Sequence, residues 1–252
     1  GLELEKEERD PSIRTIGHLA SWIESLLEPN NSGQNDSPII NRHSLLMNGD
    51  RRFHANHAVP PQSISAPSFA VNGTVAAKTE TVETGKPLSG RVALVTGSGR
   101  GVGRTIARIL AERGATVIVN SFHSRDQGDQ TVAEITAQGG SAVHIWGSIA
   151  NPEHVDKMFG TIEAEYGLDI LVCNASDGRI GSFLELTSED WDKAFRTNVS
   201  GHHQCAIRAA HLMRTRGGGS IVTMSAVGAH QFINGLGSQG VVKAAVESLT
   251  RY

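Results

Sequence analysis

The sequence has almost no cysteine: Cys173 and Cys205 are its two thiols. Two thiols cannot make a disulfide framework, and this pair fits no zinc-ligand spacing. A reducing cytoplasm is therefore the expected compartment. Long apolar runs are also missing, and none approaches the ~20 residues that a helix needs to cross a bilayer. The first ten residues, GLELEKEERD, are acidic where a secretory leader is basic and then apolar. The net charge is −3, with no basic excess of the kind that marks a nucleic-acid partner. Tyrosine is scarce as well, with Tyr166 and Tyr252 making up the whole supply.

What the chain does have is a stretch at 91–120, RVALVTGSGRGVGRTIARILAERGATVIVN. Residues 91–96 are aliphatic and β-branched, the pattern of a strand buried on both faces. Glycines follow at Gly97, Gly99, Gly101 and Gly103. A helical pattern then sets Val102, Ile106, Ile109 and Leu110 on one face. Gly114 suits a left-handed helix end, and a second apolar run begins at Thr116. Strand, glycine turn, helix, strand is half of a dinucleotide-binding unit. Glycine admits a phosphate to the free N–H groups of the helix start, where the helix dipole favours an anion. The alternation continues with strands predicted at 115–120, 141–146, 168–173 and 219–225. Helices are predicted at 102–113, 127–138, 152–165, 188–214 and 238–252. Strands alternating with helices of this length imply parallel crossovers and a Rossmann-like, doubly wound α/β sheet.

The turn reads Thr96-Gly97-Ser98-Gly99-Arg100-Gly101-Val102-Gly103, or T-G-x-x-x-G-x-G, which resembles the short-chain dehydrogenase/reductase family. Val172-Cys173-Asn174-Ala175-Ser176 is similar to that family's N-N-A-G element, with Cys173 and Ser176 as departures. The resemblance covers 90–252. It implies cofactor contacts from Gly97, Ser98, Arg100, Gly101, Val102, Gly103, Asn174 and Ala175. It also implies that Asn198, in Thr197-Asn198-Val199, keeps a proton-relay water in place. After the second strand no acid occurs before Asp126, whereas Ser121, Arg100 and Arg125 suit the 2′-phosphate of NADP(H). Where the family often has an adenine-facing Asp, this chain has Ser148. Family members usually continue past the helix that Tyr252 ends, so the sheet is expected to lack its C-terminal part. They also associate through their long helices, so a homo-oligomer is expected.

The resemblance implies that Lys243, in SQGVVKAAVESL, binds the cofactor's ribose and lowers the pKa of a tyrosine four positions earlier. That position is Gln239. The serine that polarises a carbonyl aligns with Ala226, and Ser225 substitutes only if the loop shifts by one residue. The stretch 217–252 is most similar to NADPH-dependent enoyl-acyl-carrier-protein reductases, which place tyrosine seven positions before the lysine; here that residue is Leu236. The leading expectation is an NADPH-dependent reductase of enoyl or 3-oxoacyl thioesters in fatty-acid or polyketide biosynthesis. Gln239, Ser225, His230 or water then replaces the tyrosine. The alternative is an NADPH-binding domain that is chemically silent, and a third reading is an isomerase or lyase.

Upstream, residues 1–28 carry seven acids against three bases and one amphipathic pattern through Ile13, Ile16, Leu19, Ile23 and Leu26. With Thr15-Ile16-Gly17-His18-Leu19, they resemble the last part of an acyl carrier protein domain. That resemblance implies a carrier-bound substrate and a fragment of a longer synthase-like polypeptide. Residues 29–89 are dense in Asn, Ser, Gly, Gln and Pro and are expected to form a disordered linker.

Overall fold

The computed structural model describes Ile39–Ile40 and residues 85–252. The carrier-like reading of 1–28 and most of the linker reading of 29–89 lie outside the described residues. Two parts of that segment are described. Ile39–Ile40 (β1) pairs in parallel with the strand Gly219–Thr223 (β6). Leu88 is fully buried in the core, and its N–H donates to the Arg113 carbonyl at 2.9 Å. The packed fold therefore reaches into residues that composition assigned to the linker. One apolar residue between Pro87 and Ser89 has no periodicity to announce it.

The remaining strands are Val92–Val95 (β2), Thr116–Ser121 (β3), Ser141–Trp146 (β4) and Ile170–Cys173 (β5). All pairings are parallel, in the order β1-β6-β5-β2-β3-β4. The order turns back between β5 and β2, and there the carboxyl ends of both strands open a crevice. Alternation along the strands builds two cores. Ala93, Val95, Val117, Val119, Ile170 and Val172 face one side, while Leu94, Ile118, Leu171 and Cys173 face the other.

The helices are Gly101–Glu112 (α1), Arg125–Ala137 (α2), Pro152–Glu165 (α3), Ser188–Phe195 (α4), His202–Thr215 (α5) and Gly237–Thr250 (α6). Helix α1 buries Ile106, Ala107, Leu110 and Ala111 against the first core, and Gly114 (φ 103°) follows its end. Val102, placed on the same apolar face by its spacing, is half exposed and lines the crevice instead. The single helix expected at 188–214 is broken by a π turn at Arg196–Gly201. Its cause is local: Asn198 is fully buried, and its Nδ2 donates to the carbonyls of Ala194 (2.8 Å) and Asp177 (2.6 Å). A side chain that takes over backbone acceptors widens the turn around it.

A buried acid ties the far end of the sheet. Asp169, 1% exposed, accepts from the Val92 N–H at 2.8 Å. It also pairs with Arg91 (3.3 Å) and Arg216 (3.1 Å).

Candidate active site

The glycine turn is braced by the chain segment facing it. A Cβ at Gly97 (φ 66°) would come within 2.8 Å of the Ala175 Cα. Thr96 Oγ1 accepts from the N–H groups of Asn174 and Ala175, both at 3.0 Å. Asn174 Nδ2 donates back to the carbonyls of Thr96 (2.9 Å) and Gly97 (3.2 Å). A side chain at Gly103 would collide with that same amide. Ser98 is turned inward, fully buried, its Oγ donating to the Val95 carbonyl at 2.6 Å. It builds the turn and leaves the crevice to its neighbours.

What the turn leaves open is an anion site. Helix α1 has no side-chain cap and no acid in its first turn, while α2, α3 and α4 are capped by Ser124, Asn151 and Thr187. Uncapped N–H groups at a helix start attract a phosphate. They open into a cleft of about 560 Å³ whose walls include Arg100, Gly101, Val102, Ala175 and Arg196. Among the described residues neither arginine has an ion-pair partner, whereas the cleft's one acid, Asp177, pairs with Lys193 at 3.2 Å. The walls therefore carry net positive charge.

At the far end of the cleft lie Phe122, His123 and Ser148. Ser121 is buried beneath them, bonded to the Ser124 carbonyl and to His144 Nε2, both at 2.9 Å. Arg125 lies over the Trp146 ring at 4.3 Å and is not a cleft wall. Of the two arginines singled out by sequence, Arg100 faces the cleft. Arg196, which the sequence did not single out, also faces it.

Lys243 is not a cleft wall; it is buried on α6, and its Nζ donates to the Met224 carbonyl at 2.8 Å. Burial lowers its pKa to about 8, opposed by the smaller influence of the Cys173 thiol. One helical turn earlier, Gln239 Nε2 donates to the Asp177 carbonyl at 2.8 Å. Ser176 Oγ lies 2.7 Å from Asn198 Oδ1 and 3.3 Å from Gln239 Oε1. Ser225 faces away from this group and donates to the buried Glu247, which His230 also reaches at 2.9 Å. Lys243, Gln239 and Asn198 thus share one neighbourhood, and Ser225 belongs to another. Sequence reasoning did not find Ser176 as a site residue, although its departure from N-N-A-G was visible.

A family model described as Enoyl-(Acyl carrier protein) reductase matches residues 97–252. The chain belongs to the short-chain dehydrogenase/reductase family. It is 41% identical over 139 residues to versicolorin reductase 1 of Aspergillus parasiticus, covering 55% of this chain and 53% of that protein. It is 39% identical over 174 residues to a hydroxynaphthalene reductase-like protein of Metarhizium robertsii, covering 67% and 63%. The chain thus spans between about half and two thirds of the length of these relatives. Among solved structures it resembles a gluconate 5-dehydrogenase from Burkholderia cenocepacia in complex with NADP and tartrate. The TM-score is 0.60 at 32% identity, over 64% of each chain.

Short-chain dehydrogenase/reductases depend on NAD(P), and the residues present fit that cofactor. The uncapped start of α1 and the unpaired Arg100 and Arg196 suit phosphates. Gly101 (φ 57°) has open space where a Cβ would stand.

One buried group links the site to stability. His202 Nε2 lies 2.9 Å from the Ala175 carbonyl. Its pKa is lowered from 6.5 to about 4, chiefly by burial, with the Lys243 charge adding to the effect and the Ala175 carbonyl opposing it. A lowered folded-state pKa means that below pH 6.5 the unfolded chain takes up a proton that the folded chain refuses. Stability present above 6.5 is then lost as pH falls toward 4. The loss from this residue is expected to reach roughly 3 kcal/mol. Urea unfolding at a series of pH values should show it, and His202→Leu should flatten the acid limb.

Proposed function

We propose that this chain forms the cofactor-binding core of an NADPH-dependent reductase that saturates enoyl thioesters, carrier-bound acyl groups of fatty-acid or polyketide type. The observation that carries the reading is Gln239, one helical turn before the buried Lys243, at the position where a carbonyl reductase needs an acid. Leu236 and Ala226 supply no acid either. The description of the matching family model supports the same substrate class, and the names of the fungal relatives support a polyketide setting.

When bound, the reduced nicotinamide supplies a hydride, one hydrogen with two electrons. Addition of that hydride to a carbonyl carbon leaves an alkoxide that requires a proton at once, and a carboxamide has none to give. Addition to the β-carbon of an enoyl thioester breaks the C=C π bond and delocalises the electron pair onto the thioester oxygen. The α-carbon then takes its proton from water, and no side chain is consumed. Lys243, one helical turn after Gln239, carries positive charge below pH of about 8 and loses it above. The carrier-bound state of the substrate is part of the proposal and is motivated by the sequence resemblance of the acidic segment at 1–28 to a carrier domain.

The test follows NADPH absorbance with crotonyl and acetoacetyl thioesters after NADPH binding is established by fluorescence. Oxidation with the crotonyl thioester alone is the expected result. In the active protein, Lys243→Ala should lower kcat about 10²-fold and weaken NADPH binding. NADPH binding with no oxidation by either thioester would favour the silent domain, a reading motivated by Gln239 and Ala226 together.

A further inference from the structure

We infer that Ser176 and Gln239 form a two-donor site for the oxyanion of the substrate, Ser176 through its hydroxyl and Gln239 through its remaining amide hydrogen. The inference rests on the reductase reading above and names what holds the developing negative charge there.

Asn198 has no donor left, because both hydrogens of its Nδ2 go to the carbonyls of Asp177 and Ala194. Its Oδ1 is an acceptor for Ser176. Gln239 gives one hydrogen of Nε2 to the Asp177 carbonyl, and no described group takes the other. The amide reaches that carbonyl because position 178 is glycine (φ 150°); a Cβ at Gly178 would collide with Gln239 Nε2. Ser176 is exposed on the cleft wall and has one proton between two neutral amide oxygens, at 2.7 and 3.3 Å. A hydroxyl so placed turns to a stronger acceptor when one arrives, since a charged acceptor roughly doubles the bond strength.

Of the other hydroxyls near Lys243, that of Ser238 is fully buried with no partner and does not reach the cleft surface. Ser225 donates to Glu247, Thr223 donates to the Thr250 hydroxyl at 2.7 Å, and Thr250 donates to the Val246 carbonyl at 2.7 Å. Ser148 lies at the other end of the cleft, beside His154. Neither Ser176 nor Gln239 transfers a proton in this scheme. They hold the enolate oxygen while water protonates carbon, so both are in place before the charge develops.

The experiment uses the purified protein with NADPH and a crotonyl thioester. Ser176→Ala and Gln239→Glu are each expected to lower kcat about 10²-fold, as loss of one oxyanion donor does elsewhere. NADPH affinity should stay within about twofold, which also shows that the variants fold. Ser176→Thr keeps a hydroxyl and should retain most of the rate. A second readout needs no turnover: 4-nitrophenolate, titrated by absorbance in the presence of NADP, should bind about tenfold more weakly to Ser176→Ala, a loss of about one hydrogen bond to an anion. A Ser176→Ala variant with an unchanged rate, or with unchanged phenolate affinity, would overturn the inference. If the unaltered protein oxidises no NADPH, the reductase reading fails, and the phenolate titration decides the oxyanion site on its own.

Discussion

The double substitution Gln239→Tyr, Ala226→Ser is expected to raise NADPH-dependent reduction of an acetoacetyl thioester about 10³-fold over the unaltered protein, within the span that a positioned general acid supplies. The parts such an acid needs are in place. Lys243 lies four residues after position 239 on α6, so the two side chains leave the same face one turn apart. Its ammonium is buried, with a pKa near 8, and a cation in poorly solvated surroundings lowers the pKa of a neighbouring phenol. Ala226 is exposed, three residues past the end of β6. Crotonyl reduction should change less, because its proton comes from water and the tyrosine hydroxyl takes over the donor role of the Gln239 amide. Steady-state kinetics on both thioesters would decide. Intact NADPH binding with no gain on acetoacetyl thioester would mean that the cleft cannot align a ketone, and the silent-domain reading would gain.

The second large effect concerns stability. Asp169→Ala is expected to cost about 3 kcal/mol, the low end of the range for breaking a buried ion pair. The low end applies because Arg91 and Arg216 have side chains 40% and 37% exposed and can turn to water. What cannot relocate is the Val92 N–H, which loses its acceptor at the head of β2. The backbone of Asp169 meanwhile bonds β2 on one side and β6 on the other, through the Val92 carbonyl (3.0 Å) and the Ser220 N–H (2.9 Å). Asp169→Asn keeps an oxygen for Val92 and should recover part of the loss. Urea denaturation would measure both, and a loss below about 1 kcal/mol for Asp169→Ala would show the acid to be a surface-type pair.

Five of the six strands of this sheet were readable from their aliphatic and β-branched runs, while Ile39–Ile40 was read as linker. Predicted and observed bounds differ by two residues or fewer at nearly every end. The glycine turn was readable because its spacing is set by backbone approach. Lys243 was readable because its motif is local to one helix. Ser225 was harder to place: in extended chain successive side chains point to opposite sides, so one residue decides between the cleft and Glu247. Ser176, Asp169 and His202 carry no periodic signal at all. Their roles come from partners 22 or more residues away: Asn198 and Gln239 for Ser176, Val92 for Asp169 and Ala175 for His202. A sequence without an alignment does not display such pairs. Val102 was misassigned by its own hydrophobicity, since a helix start over a cleft needs no apolar anchor.

The π turn at Arg196–Gly201 sets a length constraint on the chain. A wide turn holds one residue more than an α turn, and each α-helical residue advances the wheel by about 100°. Downstream, His202, Cys205, Ala209 and Met213 make one buried stripe along α5. Upstream, Ala194 is the buried residue of α4. The extra residue lets both stripes meet the fold while Asn198 points at Asp177. Removal of Val199 would force a choice: close the turn and rotate the α5 stripe off the sheet, or keep the stripe and swing Asn198 away from its acceptors. The segment behaves as a gauge of length, fixed to the single residue.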